Sequence, residues 1–347
     1  MYKVEQELRG QFRTIEKTVQ YIVNQREKLK EFLQGAKSIC VSGCGSSFYV
    51  AKSTAMQFLQ KTGIPSYAIT AGDLLVNFDA YEKVLEHATL ILLSRSGSTT
   101  ELHRMASRCR ERYPNIKMIS ICAVEGAPIS NLADLNIEIP WAFDQAVCQT
   151  QTVSNLFISG LTLCALKSND SQLLDDILAI EKKAEDFATM VEPLLEDMAK
   201  QAFENVVVLA DSDMAGLAEE GALAFKEICH RPSNFYNVLD VRHGPILIIN
   251  EKTLVVVLIS RGDLHLQTEL VNDMKKRGSF VLVLRCTKEA AGIDGITDIQ
   301  LPPTDNDDVS AVFMLYCIQF LCLKHALYQG VDPDKPEGLD PWIKLNV

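Results

Sequence analysis

The sequence lacks several features that would narrow its function directly. Basic residues are not in excess, because 34 Lys and Arg stand against 45 Asp and Glu and give a formal net charge of -11. We therefore expect no nucleic-acid partner, since binding DNA or RNA normally needs a basic surface that displaces counterions. Metal-ligand spacing is also missing among the histidines, so no metal and no cofactor are expected. Four of the six histidines are interpreted as surface or core residues: His87, His103, His265 and His325.

Paired cysteines and a membrane span are missing as well. The ten cysteines are scattered without a CxxC pair, and the chain opens with charged residues rather than with a signal peptide. We expect reduced thiols in a cytoplasmic protein. The longest apolar segment, 309–323, contains Ser310 and Gln319 and is shorter than the about 20 residues that a bilayer needs. A helix in the protein core, and no membrane partner, is the better interpretation.

What the sequence does contain is an alternation of short apolar runs and helical segments. At 347 residues and 47% hydrophobic, the chain is large enough for two cores. Residues 3–34 have the spacing of an amphipathic helix, and the segments after them alternate strand and helix patterns. Such alternation predicts an α/β fold with parallel sheets. The strand signals of the first half are KSICVS, SYAIT, TLILLS, IKMISICAV and LNIEIP.

The same layout recurs after a long charged helix at 171–203. The segment 204–227 mirrors 37–60, and TLVVVLISRGD mirrors TLILLSRSGST, in both cases about 165 residues on. This recurrence predicts an internal duplication of one doubly wound, flavodoxin-like unit. We expect an N-terminal helical segment, a first domain, a connecting helix, a second domain and a C-terminal tail, with boundaries at 1–34, 35–170, 171–204, 205–330 and 331–347.

Two loops of the first half are rich in hydroxyl side chains. GCGSS follows the first strand, and SRSGSTT follows the strand that ends near Ser94. In a parallel sheet such loops meet helix N-termini at one edge, where backbone N–H groups and hydroxyls can hold an anion. Serine and threonine also form turns and helix caps, so either loop alone is weak support. A dinucleotide site is disfavoured, because Phe48 stands where a third glycine would be needed and no acidic residue ends SYAIT.

Four motifs give the chain a resemblance to a known family. They are CGSS at 44–47, SRSGSTTE at 94–101, EEGALAFKE at 219–227 and VRHGP at 241–245. By these residues the chain resembles the double sugar-isomerase (SIS) domain family. It is most similar to the isomerase half of glucosamine-6-phosphate synthase and to the related deaminases and deglycases. The resemblance covers nearly the whole chain and implies tandem SIS domains.

The resemblance also implies roles for particular residues. The first two motifs would hold the phosphate of a hexose 6-phosphate, and the third would supply a proton-transferring glutamate, Glu227. His243 of the fourth motif would help to open the sugar ring and come from the neighbouring subunit, which implies a homodimer. Further substrate contacts would come from Glu220 and Val147. The implied phosphate site consists of Ser46, Ser47, Ser94, Arg95, Ser96 and Thr99.

Without the resemblance, both catalytic candidates have ordinary explanations. Glu220 and Glu227 are seven residues apart and lie along one edge of a predicted helix, where most glutamates are simply solvated. A partly buried carboxylate with a raised pKa would be a general base near neutral pH. His243 precedes Gly-Pro in a turn, and on its own it is better explained as a loop histidine.

Departures from the synthase pattern narrow the predicted activity. The chain starts at the isomerase-like part, so we expect no glutaminase domain and no use of glutamine. Pro341 stands where the synthase has its Schiff-base lysine, with Lys335 and Lys344 nearby, and Ala224 replaces a second lysine. These differences favour an enzyme that cleaves an existing C–N bond of a 6-phosphorylated amino sugar or sugar-amine adduct. Simple aldose-ketose isomerisation and a non-catalytic sugar-phosphate sensor stay open as alternatives.

Overall fold

Two compact units make up the part of the chain that the structure, a computed structural model, describes, residues 1–339. The first unit consists of residues 9–178, and the second unit of residues 1–8 and 179–339. Each unit has a five-stranded sheet in which every strand pair is parallel. The predicted α/β class with two parallel sheets is confirmed.

The sheet of the first unit has the strand order β2-β1-β3-β4-β5. β1 and β3 are neighbours near its centre, and every residue of β3 is buried. The five strand signals recognised in the sequence are all confirmed. Their bounds are β1 Ser38–Ser42, β2 Ser66–Ala68, β3 Ala88–Ser94, β4 Lys117–Cys122 and β5 Leu135–Glu138.

Helices connect these strands and cover the sheet. Two of them, α3 (Ser46–Thr62) and α7 (Gln151–Ser168), pack closely: a Cβ atom on Gly160 of α7 would lie 2.4 Å from the hydroxyl oxygen of Thr54 in α3. Only a glycine at position 160 allows the two helices to approach each other this closely. The helices that lie in this unit from residue 26 onward are α2 Arg26–Leu33, α3 Ser46–Thr62, α4 Ala71–Val76, α5 Glu82–Leu85, α6 Thr100–Arg112, α7 Gln151–Ser168 and α8 Ser171–Leu178.

The sheet of the second unit has the order β10-β9-β8-β6-β7. Numbered from its own first strand and read from the β7 edge, this is 2-1-3-4-5, the order of the first sheet and of flavodoxin-like folds. The strands are β6 Asn205–Leu209, β7 Ser233–Tyr236, β8 Thr253–Ile259, β9 Phe280–Arg285 and β10 Thr297–Gln300. Its helices are α9 Ile180–Ala199, α10 Ala215–Cys229, α11 Leu264–Lys276 and α12 Asp307–Tyr328.

Helix α12 contains the long apolar segment noted in the sequence. By length and composition it would be able to cross a membrane, with a mean hydropathy of 1.5 over its most apolar window. However, 94% of that window is buried inside the protein, and α12 packs against α9 and α10. This burial agrees with the interpretation of the segment as a core helix.

Two helices expected to be continuous are each interrupted. The helix expected at 3–34 is α1 Lys3–Val23 followed by α2, because the chain turns at Asn24 and Gln25. There the N–H of Gln25 bonds the carbonyl of Ile22 only three residues back, and its φ of -105° and ψ of 10° are not helical. The helix expected at 171–203 is α8 followed by α9, with a turn at Ala179 between them.

All ten cysteines are free thiols, as expected from their scatter. Nine of them are buried, and Cys44 is half-buried. Burial raises the pKa of several of these thiols, including that of Cys40 to about 12. Thiols of this kind pack as small apolar groups and are poor nucleophiles at neutral pH.

Candidate active-site residues

The first hydroxyl-bearing loop joins β1 to α3. Helix α3 begins at Ser46, so Ser46 and Ser47 form its first turn, and each is 4% exposed. Gly43 has to be a glycine, because a Cβ there would lie 2.9 Å from the backbone of Ser47. Gly45 has a φ of 54°, which also favours glycine. The two glycines thus fold the chain tightly enough to place both serines at the N-terminus of a helix, where anions are favoured.

Cys44 lies between these two glycines, and its thiol is a poor nucleophile at neutral pH. Burial and, secondarily, the carboxylate of Glu101 raise the pKa of its thiol to about 12. The thiolate is therefore scarce at neutral pH. Glu101 lies in the first turn of α6, so the two loops are close enough for this charge to act.

The second hydroxyl-bearing loop joins β3 to α6. The Ser94 hydroxyl oxygen accepts a hydrogen bond from the Gly97 N–H at 2.9 Å and lies 3.5 Å from the Thr99 hydroxyl oxygen. The Ser96 hydroxyl oxygen accepts from both the N–H and the hydroxyl of Ser98, at 3.2 and 3.1 Å. Gly97 has a φ of 61°, and a Cβ there would lie 2.4 Å from the Cβ of Ala127. The loop is thus tightly folded, with its hydroxyls hydrogen-bonded to each other and to N–H groups of the same loop.

Sheet register places these two loops at the same edge. Ser42 at the end of β1 pairs with Leu92 in β3, and both strands run in the same direction. Both loops leave from the carboxyl ends of neighbouring strands and lead into helices. This is where ligands bind in open α/β sheets.

Arg95 is placed differently from the hydroxyl residues. It is 5% exposed, and its Nη1 donates to the backbone carbonyls of Ala146 and Val147 at 2.8 and 3.1 Å. Its guanidinium carbon lies 6.0 Å from the centre of the Phe143 ring. Val147, a predicted substrate contact, is half-buried in this same segment. The structure therefore connects the second loop to the segment that precedes α7.

Asp144 is a buried residue of this segment that sequence reasoning missed. Its carboxylate accepts from the N–H groups of Thr150, Gln151 and Thr152 at 3.0, 3.2 and 2.9 Å, and so caps α7. Burial raises the pKa of the Asp144 carboxyl, while these donors and the charge of Arg95 act against that rise. The signal available in the sequence was an aspartate a few residues before a helix start that is rich in hydroxyl side chains. Asp144 lies further from the start of α7 than an N-cap residue does, so the usual capping motif did not reveal it.

The predicted glutamates lie on α10 of the second unit. Glu220 is 2% exposed and Glu227 is half-buried two turns further on. Lys226 is next to Glu227 in sequence, and burial lowers the pKa of its ammonium group while Glu219, Glu227 and Glu220 act against that change. Gly221 lets α10 approach α12, since a Cβ there would lie 2.7 Å from the Ile318 side chain. Both predicted glutamates therefore lie on a helix that is held firmly in its unit.

His243 lies on the surface of the second unit. It follows a short helical turn, Asp240–Arg242, and its N–H donates to the carbonyl of Asp240 at 2.9 Å. The next residue, Gly244, has a φ of 118°, and Pro245 begins another short turn. Arg242, the residue before His243, forms an ion pair with Asp273 at 2.6 Å.

The structure also locates His325 and Lys335, two further residues considered in the sequence. His325 is fully buried in the second unit, as allowed for a core histidine, and its Nε2 accepts from Arg231 at 3.0 Å. Its Nδ1 therefore carries the proton and donates to the carbonyl of Ala199 at 2.8 Å. Lys335 is exposed. Pro341 and Lys344 lie outside the described residues. Within residues 1–339, no three His, Cys, Asp or Glu side chains are arranged to hold a metal ion.

The chain is similar to known proteins in sequence and in fold. Residues 32–161 match the family model described as SIS domain. Over 325 residues the chain is 25% identical to the glutamine–fructose-6-phosphate aminotransferase (isomerizing) of Chlamydia muridarum, a match that covers 90% of this chain and 52% of the relative. The chain thus spans about half the length of the curated relatives it matches.

Solved structures share the fold. The tagatose-6-phosphate ketose/aldose isomerase of Escherichia coli superposes with a TM-score of 0.87 at 21% identity, covering 99% of this chain and 96% of that one. The glucosamine-6-phosphate deaminase of Thermotoga maritima superposes with a TM-score of 0.77 at 23% identity, covering 95% and 100%. At these identities the likeness establishes the fold.

Proposed function

Because this chain carries a SIS domain and is related to the isomerase part of an aminotransferase, we propose that it is a phosphosugar-processing enzyme. The substrate is a 6-phosphorylated amino sugar or a sugar-amine adduct, and the products are a free amine and a hexose 6-phosphate. The observation that carries the proposal is the pair of hydroxyl-bearing loops at the carboxyl ends of β1 and β3. Hydroxyls and helix N–H groups bind a phosphate dianion without a formal positive charge.

In this proposal, the phosphate is held by the hydroxyls of Ser47, Ser94, Ser96 and Thr99, with Ser46 beside them. The hydrogen bonds within the second loop support the role, because they keep its hydroxyls in place before a ligand arrives. Preorganisation of this kind reduces the ordering cost of binding.

Glu227 and His243 carry the chemistry in this proposal. His243 helps to open the ring, and Glu227 moves a proton between C1 and C2 through an enediol- or enaminol-like intermediate. The imine that results takes up water, and its C–N bond breaks, so that the amine leaves and a carbonyl remains. Glu220 orients the site or binds a sugar hydroxyl. The half-buried position of Glu227 supports its role, because partial desolvation suits a general base.

We propose a homodimer in which His243 acts in the site of the neighbouring copy. His243 is exposed, and apolar side chains near it in sequence are exposed too: Leu239 is 38%, Leu247 81% and Ile248 38% exposed. Exposed apolar side chains of this kind support a covered surface in the assembly. Mixing Glu227→Gln with His243→Asn protein tests the sharing of sites. Recovery of activity in the mixture supports it, and two inactive variants that stay inactive after subunit exchange contradict it.

The two units are further proposed to have arisen by duplication, with domain boundaries at 35–170 and 205–330. Their common 2-1-3-4-5 strand order supports this. A cytoplasmic location is proposed as well, and ten free cysteines are compatible with a reducing compartment.

The test of the activity is proton NMR of the reaction in D2O with a panel of sugar phosphates. The panel comprises glucosamine 6-phosphate, galactosamine 6-phosphate, fructose 6-phosphate and 6-phosphorylated fructose-amino-acid adducts. Deuterium at C1 or C2 with release of amine is the expected result. Exchange of fructose 6-phosphate alone would instead indicate a simple aldose-ketose isomerase, and phosphate-dependent binding without any exchange would indicate a sensor.

A further inference from the structure

An arginine follows the third strand of the sheet in each unit. Arg95 follows Ser94, the last residue of β3, in the first unit, and Ser260-Arg261 follows β8 in the second. The two strands hold the same place in the common strand order. The two side chains can therefore be compared as equivalents inside one molecule.

Arg95 donates hydrogen bonds to the segment that leads into α7. Its Nη1 donates to the carbonyls of Ala146 and Val147, and the segment also contains Asp144, whose carboxylate caps α7. The side chain is 5% exposed, so these bonds are sheltered from water. Such bonds are strong because the donor is charged and planar.

Arg261 makes the same kind of contact in the second unit. Its guanidinium donates to the carbonyls of Thr304 and Asp305, the latter at 2.6 Å. Its Nε lies 3.0 Å from a carboxylate oxygen of Asp307, the first residue of α12. The backbone N–H of Arg261 donates to the other oxygen of Asp307 at 2.8 Å. In both units, then, the arginine bonds two successive carbonyls before a buried helix and lies near an aspartate, which caps that helix from a preceding segment in the first unit and begins it in the second.

The second unit has kept this contact without the hydroxyl loop. Gly262, Asp263, Leu264 and His265 stand where the first unit has Ser96, Gly97, Ser98 and Thr99. An arginine whose purpose was to bind phosphate would have no reason to keep this geometry there. We infer that Arg95 is a positioning residue, which fixes the segment 143–150 next to the hydroxyl loop, and that it is not itself a ligand of the phosphate.

This inference deepens the proposed function: its statements about the phosphate and about Val147 rest on that function, whereas the fixing of the segment 143–150 rests only on the hydrogen bonds of Arg95. If Val147 contacts the substrate, the two bonds from Arg95 set where that contact is made. Removing the guanidinium leaves the Ala146 and Val147 carbonyls without their donor and takes a positive charge away from Asp144. The segment should then open more often while the hydroxyl loop keeps its own hydrogen bonds.

The experiment compares Arg95→Ala and Arg95→Lys with the matched control Arg261→Ala in the full chain. Amide hydrogen exchange is measured at 143–150 and 303–309, and the affinity for inorganic phosphate is measured by calorimetry. Both Arg95 variants are expected to speed exchange at 143–150 by about tenfold or more, because an ammonium group lacks the planar fork. Phosphate affinity should stay within about threefold of the parent. Arg261→Ala should speed exchange at 303–309 instead.

The inference is overturned if either Arg95 variant weakens phosphate binding by about tenfold or more while exchange at 143–150 stays as in the parent. Loss of phosphate affinity in Arg95→Ala that Arg95→Lys restores would also overturn it, because it would show that charge alone is required. If Arg95→Ala does not fold, Arg95→Lys still decides the question, since it keeps the charge and most of the volume. Neither readout needs turnover, so failure of the proposed activity in the D2O experiment is a separate outcome.

Discussion

The two units use one strand order for different purposes. The first unit has hydroxyl side chains at the ends of its first and third strands, whereas the second has Asp213 and Met214 in one loop and Gly262 and Asp263 in the other. What they share is the framework, namely the strand order and the arginine that secures the segment before a buried helix. In this fold, therefore, the residues that support a loop and the residues that bind a ligand can change independently.

In the helix after the first strand, it is the second unit that carries the candidate functional residues. Aligned by the recurring layout, Glu220 and Glu227 of α10 correspond to Ser53 and Gln60 of α3. Ser53 is buried, and Gln60 is exposed at a position where Glu227 is half-buried. The first unit thus holds the candidate phosphate ligands, and the second unit holds the candidate glutamates. For a substitution in one unit, the corresponding position of the other unit provides the control.

The largest effect is expected from Glu227→Gln. This change keeps the size of the side chain but removes the base, so kcat should fall by about 10²–10⁴-fold, while binding of the sugar phosphate is kept. Gln60→Ala, at the matched position of the first unit, should leave kcat within about twofold of the parent. Steady-state kinetics of both variants are measured on the substrate found in the D2O experiment. A Glu227→Gln enzyme that keeps its activity would contradict the assignment of Glu227 as the base.

The double change Ser96→Ala with Thr99→Ala should act on binding. It removes two hydroxyl donors from a charged phosphate, each worth about 1.5–3 kcal/mol, so Kd should rise by about a hundredfold or more. His265→Ala in the corresponding loop of the second unit is the control and should leave Kd unchanged. Calorimetric titration with sugar phosphate reports the difference. Equal affinity in the double variant and the parent would contradict a phosphate site at this loop.

Gly97→Ala should reduce stability, because the new Cβ meets Ala127 at 2.4 Å and the backbone has a φ of 61°. A decrease of about 1–3 kcal/mol in the free energy of unfolding is expected. Gly262 of the second unit has its nearest neighbours at 3.4 and 3.7 Å and no positive φ, so Gly262→Ala should stay within about 0.5 kcal/mol of the parent. Urea unfolding of both variants tests the contrast, and equal effects would argue against it.

The smallest effect concerns pH and the second unit. Burial lowers the pKa of the His325 imidazole, with the nearby charge of Arg231 acting in the same direction and the Ala199 carbonyl against it. The unfolded chain would take up a proton below about pH 6.5 while the folded chain would not, so this contribution is complete above that pH and is lost as pH falls. His325→Gln should reduce the fall in Tm between pH 7 and pH 5.

The exposed His265 supplies the control for this measurement. His265→Gln should leave the slope of Tm against pH as it is in the parent, because that side chain is on the surface. A slope unchanged by His325→Gln would mean that other groups cause the acid sensitivity.

Much of the fold could be predicted from the sequence because the signals were local. Runs such as TLILLS are apolar on both faces, as strands buried in a parallel sheet must be, and they became β3 and its neighbours. The hydroxyl loops were found for the same reason, since glycine and serine mark a tight turn into a helix. The interruptions at Gln25 and Ala179 could not be seen, because neither residue is a helix breaker.

The contacts of Arg95 could not be predicted either. In the sequence, Arg95 stands between two serines of the candidate phosphate loop, and a cation there suggests an anion partner. Its actual partners are carbonyls about fifty residues further on, and backbone carbonyls have no signature in a sequence. A comparison with Arg261 would have been informative, but it requires the structure of both units.

The burial of α12 has a consequence for how the chain is made. On the ribosome, every strand of the second sheet leaves the exit tunnel before this helix does, because β10 ends at Gln300 and α12 begins at Asp307. A segment with the length and composition of a membrane helix thus emerges after the helices that bury it, α9 and α10, have been translated. A circular permutant that starts at α12 would expose the same helix to the targeting and quality-control machinery before any of its strands had been translated.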